Sequence, residues 1–173
     1  MTLESDLVRR IMAIERRLAE IEAREREAPI VAIYTSSSGQ SIPNNAFTII
    51  DYSTKEIDTH SAVTTGLSWK FTAPVAGYYH VDAEIMFTAT TTWADGEVGD
   101  LRLFRNGDGS TAKLLDRKDN YGSSANIYMH LGGGTSIYLN LGDYIDVRVT
   151  QTSGGALILY TNGIYNRIAI VKI

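Results

Sequence analysis

Catalysis by a chain of 173 residues needs a convergent set of acid, base or nucleophile side chains, and the candidates here are few. The three histidines, His60, His80 and His130, stand apart and share no metal-ligand spacing. Asp82 and Glu84 lie two residues apart and would share one face of a strand, close enough for acid–base work, although a solvated or interfacial face accounts for them equally well. Gly132-Gly133-Gly134-Thr135 lacks the Gly-Lys-Ser/Thr ending of a phosphate loop and reads as a turn. Asp95, Glu97 and Asp100 could meet a calcium ion, but their spacing matches no defined calcium loop, and a solvated acidic loop is the simpler expectation. The absence of cysteine excludes disulfides and thiolate zinc sites, so stability must come from packing or assembly. A net charge of -4 with no block of like charge in the body disfavours a grip on phosphate backbones. We therefore expect a protein that is not an enzyme, carries no cofactor or metal, and has no nucleic-acid partner.

Binding is the remaining class of chemistry, and the elements that would position a binding surface differ along the chain. Residues 1–28 contain no glycine or proline and are crowded with Glu, Arg, Ala, Leu and Ile, which favour helix. Leu7, Ile11, Ile14, Leu18 and Ile21 follow one another in steps of four and three, the heptad spacing of a coiled coil. Ile11 and Leu18 take position a, and Leu7, Ile14 and Ile21 take position d, where β-branched residues shift preference from two strands to three or four. Arg10, Arg17 and Arg24 at g can each meet a Glu at e, as Arg10 with Glu15 and Arg17 with Glu22, in a parallel neighbour. The segments Arg10-Ile11-Met12-Ala13-Ile14-Glu15 and Arg17-Leu18-Ala19-Glu20-Ile21-Glu22 resemble the Arg-h-x-x-h-Glu trimerisation motif, in which a bidentate Arg–Glu pair covers the seam. Exposed ion pairs contribute only roughly 0.3–0.5 kcal/mol each, so the seam must supply most of the association energy. Glu4 and Glu25 bound that seam, which is too short to hold three chains alone; the rest of the chain must help. The competing expectation is a solitary amphipathic helix lying against the remainder of the protein.

From residue 30 onward the apolar period becomes two, with runs bounded by turn residues, as in an antiparallel all-β domain. The pattern predicts strands over 30–34, 47–52, 67–72, 77–88, 100–105, 112–116, 124–130, 136–141, 144–150, 156–160 and 166–172. Asn106-Gly107, Asp108-Gly109, Gly142-Asp143 and Asn162-Gly163 supply residues tolerant of positive φ and are predicted turns, and Pro74 marks a bend. Within 77–88, Tyr79, Val81, Ala83, Ile85 and Phe87 form one face, opposite Tyr78, His80, Asp82, Glu84 and Met86. In the last strand Ile168 and Ile170 alternate with Ala169, Val171 and Ile173, so neither face is polar. Such a strand fits a sheet that packs on its own sandwich and on a neighbouring subunit. No stretch approaches the length of an apolar membrane span, and the amino terminus lacks the pattern of a signal peptide.

Four motifs in order resemble the globular heads of the complement C-one-q and tumour necrosis factor superfamily. They are Phe71-Thr72-Ala73-Pro74-Val75-Ala76-Gly77-Tyr78-Tyr79, Leu101-Arg102-Leu103-Phe104-Arg105-Asn106-Gly107, Leu139-Asn140-Leu141-Gly142-Asp143-Tyr144-Ile145-Asp146-Val147, and the apolar C-terminal strand. The resemblance implies an antiparallel jelly-roll sandwich of about ten strands, forming a trimer with both termini at its base. The expected organisation is a coiled-coil trimerisation stalk at 1–28, a linker and first strand at 29–41, and a jelly-roll head at 42–173. A coiled coil replaces the collagen-like stem of that superfamily, and with no cysteine or export signal the chain looks more like a fibre or head appendage of a bacteriophage. The expectation is a homotrimer assembled into virions in the host cytoplasm, tethered by its N-terminus, whose head binds a host-surface ligand, with glycan as one candidate. The alternatives are a non-adhesive decoration trimer of a particle or a bacterial spore-surface trimer. With the termini at the base, the loops around 90–99, 120–126 and 161–166 fall at the apex. Their Trp93, Asp95, Tyr121, Asn162 and Tyr165 are the candidate contacts, led by Trp93, since aromatic residues are enriched at recognition sites. For Tyr121 and Tyr165 an equal alternative is closing the end of the core.

Overall fold

The computed structural model describes residues 3–27, 29–89, 93–120 and 128–173, and among helix side chains those of residues 6–23. The chain runs through α1 (Leu3–Glu27), β1 (Val31–Thr35), β2 (Ser41–Ile42), β3 (Thr48–Ile49), β4 (Thr54–Asp58), β5 (Val63–Thr64) and β6 (Lys70–Thr72). It continues through β7 (Gly77–Met86), β8 (Val98–Arg105), β9 (Asp108–Asp119), β10 (His130–Leu139), β11 (Tyr144–Gln151), β12 (Leu157–Ile158) and β13 (Arg167–Lys172). Good helix formers carry α1, helped by an Arg16–Glu20 pair at 3.0 Å one turn apart, and Pro29 lies just beyond its end. Leu7, Ile11, Ile14, Leu18 and Ile21 are 47–66% exposed, so the stripe is not packed against the head.

Every ladder between named strands is antiparallel. One sheet has the order β10-β7-β13-β1-β4; the second has β5-β6-β11-β8-β9 with β3 added on β11; β12 and β2 form a small third pair. The alternation of β7 places Tyr79, Val81, Ala83 and Ile85 in the core, where they join Phe71, Leu101, Leu103, Ile145, Val147 and Val149 of the second sheet. Register fixes the two ends. Val31 pairs with Val171 and Gly77 with Leu139 at the end where α1 enters; Thr35 pairs with Arg167 and Met86 with His130 at the other. The first end is the base and the second the apex.

Several local expectations are corrected. Asn106 and Gly107, at φ 51° and 71°, make the whole turn between β8 and β9, so Asp108-Gly109 opens β9 instead of forming a second turn. β4 was not expected because its sequence, TKEID, is polar and almost wholly exposed, as suits an edge strand. Gly132-Gly133-Gly134 is not a turn but lies within β10. These glycines serve close approach: a Cβ on Gly133 would strike the Leu115 carbonyl of β9, and one on Gly134 the Asp82 carboxylate. Of the strand expected over 124–130, residues 124–127 lie outside the described residues, and β10 begins only at His130.

The outward face of the second sheet is closed by stacked cations and rings. Arg102 lies 5.1 Å from the Phe47 ring centroid, Phe47 meets Phe104 edge-on at 5.5 Å, and Arg148 lies 4.2 Å from the Phe104 centroid. Each guanidinium is gripped by a buried carboxylate, Arg102 by Asp100 and Arg148 by Asp146, and these hydrogen bonds push both arginines above their ordinary range.

Two substitutions test this packing. Gly133→Ala is expected to cost about 2–3 kcal/mol by driving a methyl group into backbone, with Gly134→Ala milder because the Asp82 side chain can move; urea unfolding measures both. Arg148→Met strands the Asp146 carboxylate, which is 2% exposed, and should cost about 3 kcal/mol, most of it recovered in the Arg148→Met/Asp146→Leu double variant. No recovery in the double variant would place the cost in the cation–ring stack.

Candidate functional site

The apical loops divide into a part that closes the core and a part that faces out. Trp93 belongs to the first: it is 0% exposed and meets Phe87 edge-on at 5.6 Å. The expectation that Trp93 is the leading contact residue is therefore corrected. Its loop folds back because Asn120, itself buried, donates from Nδ2 to the carbonyls of Trp93 and Ala94, both at 2.9 Å. The backbone N–H groups of Gly96 and Asn120 complete that clamp on the carbonyls of Asn120 and Glu97. Such a large apolar surface gains most by leaving water. Asp95 stays exposed at the tip of the same turn. Tyr121 lies outside the described residues.

The outward part is a run of three tyrosines. Tyr128 meets Tyr160 edge-on at 5.4 Å, and Tyr160 meets Tyr165 at 5.8 Å with a 56° tilt. Tyr128 is 54% and Tyr165 40% exposed, so the outer two present ring surface to solvent while Tyr160 backs them. Asn162 shapes the loop between them: its Oδ1 accepts from the Ile164 N–H at 3.0 Å and its carbonyl from the Tyr165 N–H at 3.1 Å. Asn166 anchors it, fully buried, accepting from the Met86 N–H at 3.0 Å and donating to the Tyr160 carbonyl. The sequence singled out Tyr165 and Asn162 of this cluster, and not Tyr128, Tyr160 or Asn166. Tyr160 carried a legible signal, since it stands at the apical end of a predicted strand, whereas Asn166 carried none, because its bonds to the Met86 N–H and the Ser36 carbonyl come from distant segments.

The acidic and histidine candidates occupy other ground. On the outward face of the first sheet, His80 pairs with Asp82 at 3.1 Å and also meets the Ser136 hydroxyl, while His130 pairs with Glu84 at 3.2 Å. Asp82 and Glu84 do share the expected strand face, each engaged with a different histidine on an open surface. Asp95, Glu97 and Asp100 separate: Asp100 is buried against Arg102, and Glu97 accepts from the Ala94 N–H. Among the described residues no group of three or more His, Cys, Asp or Glu side chains is placed to hold a metal ion.

Tyr34 and Tyr52 are internal ring groups at the edge of this architecture. Burial, reinforced by its hydrogen bond to Asp58, pushes the Tyr34 hydroxyl up to about 12. Burial likewise raises Tyr52, whose ring meets Trp69 at 5.5 Å. Both groups are thus protonated across the physiological range and act as packing.

No family model matches the sequence, and no curated protein does. Solved structures do resemble it. An Eiger TNF from S. frugiperda shares 17% identity at a TM-score of 0.60, over 84% of this chain and 92% of that one. Murine APRIL at pH 8.0 shares 16% at 0.59, over 84% and 100%, and the globular domain of zebrafish complement 1qA shares 14% at 0.57, over 84% and 98%. At these identities the likeness is one of fold: the β-domain has an antiparallel jelly-roll fold similar to that of these TNF and complement 1qA domains.

Proposed function

We propose that the chain is one third of a parallel homotrimer, a virion fibre or head appendage whose apex attaches to a host surface. The observation that carries the trimer is a pair of exposed apolar surfaces, one on α1 and one on the basal part of the first sheet. One is the α1 seam of Leu7, Ile11, Ile14, Leu18 and Ile21. The other lies on the outward face of the first sheet, where Tyr78, Tyr138, Val171 and Ile173 are exposed. Tyr78 and Tyr138 stack edge-on at 5.2 Å, and the Val31–Val171 pair adjoins the entry of α1. One threefold axis could bury both, with Arg10 and Arg17 reaching Glu15 and Glu22 of the neighbouring chain. Exposed patches of this kind are uncommon on monomers. The phage context rests on the heptad stripe of α1, which stands where a collagen-like stem would, and on the cysteine-free sequence.

The adhesive role rests on Tyr128 and Tyr165, outward-facing aromatics on a loop anchored from within. With Trp93 in the core, these two take the place of the leading contact.

Light scattering on the full chain, and on a chain beginning at Pro29, tests the assembly. Both are expected at three times the mass of one protomer, with the shorter form dissociating at higher concentration; a monomeric full chain overturns the trimer. Tyr128→Ala and Tyr165→Ala should keep that mass and lower attachment to the host surface about tenfold or more, as hot-spot aromatics do. Unchanged attachment favours the non-adhesive decoration trimer.

A further inference from the structure

An open groove of about 540 Å³ lies beside the tyrosine run, between the apical ends of β1 and β4 and the loop that carries Asn162. Thr35 and Ser37 line it from one side, Thr54 and Glu56 from another, and Asn162 and Arg167 from the third. The loop can lie this close to β1 because residue 163 is glycine; a Cβ there would stand 3.2 Å from the Thr35 side chain. β4 is the last strand of its sheet, so the groove is open along that edge, at the opposite end from Tyr78, Tyr138 and Ile173.

Most of the polar groups that line this groove are unspent, and they converge on one opening. Arg167 stands in register with Glu84, yet Glu84 pairs with His130. Among the described residues the side chains of Arg167, Glu56, Thr35, Thr54 and Ser37 make no hydrogen bond or ion pair to protein. Asn162 spends only its Oδ1, on the Ile164 N–H, which fixes the amide and leaves Nδ2 to donate. On the same sheet His80 pairs with Asp82 and Tyr34 with Asp58.

We propose that this groove binds a neutral sugar residue of a surface polysaccharide. Hydroxyls that donate and accept, a carboxylate that only accepts, and an amide and guanidinium that only donate together complement a ring of vicinal hydroxyls. Glu56 and Arg167 offset each other in charge, so an anionic ligand gains little. The exposed side chain of Ile164 gives the sugar an apolar C–H contact. The volume lies within the range of small-ligand sites, about 300–1,000 Å³. This deepens the adhesive reading by naming the ligand class, and it rests on that reading for its biological use, not for its chemistry.

The test is saturation-transfer NMR on the full chain with the methyl glycosides of glucose, galactose and mannose, and with glucuronate as the charged comparison. At least one neutral glycoside is expected to receive saturation. Glu56→Gln should weaken it about tenfold, the loss of one charge-assisted hydrogen bond. Ser37→Trp, at an exposed rim position, should abolish it by filling the groove, while Lys113→Ala, at an exposed position of β9 on the other sheet, leaves it unchanged. The proposal is overturned if no neutral glycoside receives saturation, if glucuronate outcompetes them, or if transfer survives both groove variants. Sugar binding here without attachment to a host surface would defeat the adhesive reading alone; attachment without sugar binding would defeat this proposal alone.

Discussion

β13 lies between β1 and β7 with Ile168 and Ile170 buried in the sandwich and Ala169 and Val171 on the outward face. A strand apolar on both sides has to be covered twice, and one sandwich covers it once. Burial contributes about 25 cal/mol per Å² of apolar surface, so the outward residues Val171, Ile173, Tyr78 and Tyr138 represent stabilisation that a single chain leaves unrealised. The same holds for the α1 seam. In the proposed homotrimer a single event would cover both surfaces, and neither surface would need to be strong alone. In such a trimer that division would account for a seam of only two and a half heptads, with the sheet face adding its share.

The constraint is graded along the sheet. Moving from base to apex on the outward face, register gives Tyr138 beside Tyr78, then Ser136 beside His80, then Gly134 beside Asp82, then Gly132 beside Glu84 and Arg167. The surface therefore changes from rings to ion pairs over the length of one strand. Apolar residues gather where the helix enters, and charge and hydroxyls where the loops open. The second sheet, by contrast, has its outward face occupied by its own Arg102, Phe47, Phe104 and Arg148, with Asp100 and Asp146 gripping the two guanidinium groups. A surface so fully engaged with itself is poorly suited to docking, and it leaves the first sheet and the apex for contact with other molecules.

Much of this was legible in the sequence because it depends on period. The alternation in β7 and β13 and the helical stripe of α1 are local regularities set by backbone geometry. What resisted reading was set by distant atoms. Three consecutive glycines signal a turn locally, yet in β10 they exist because β9 crosses within reach of a Cβ. β4 has no apolar alternation because it is an edge, held by pairing to β1 alone. Trp93 sits among Thr, Ala, Asp and Gly, the composition of an exposed loop, and only the reach of Asn120 from the end of β9 shows that the loop turns inward.

The apex then follows from a competition for hydrogen bonds. Asn166 and Asn120, both buried, spend their side chains on backbone and so fix the loops without exposing themselves. With the loops held from inside, the outward side chains are relieved of structural duty. Tyr128 and Tyr165 keep exposed ring surface, and Thr54, Glu56 and Arg167 keep unspent donors and acceptors. A loop stabilised by its own surface groups would have to break those bonds to bind anything. Here the groups proposed for recognition would start unpaired with protein, with the rigidity they need coming from beneath.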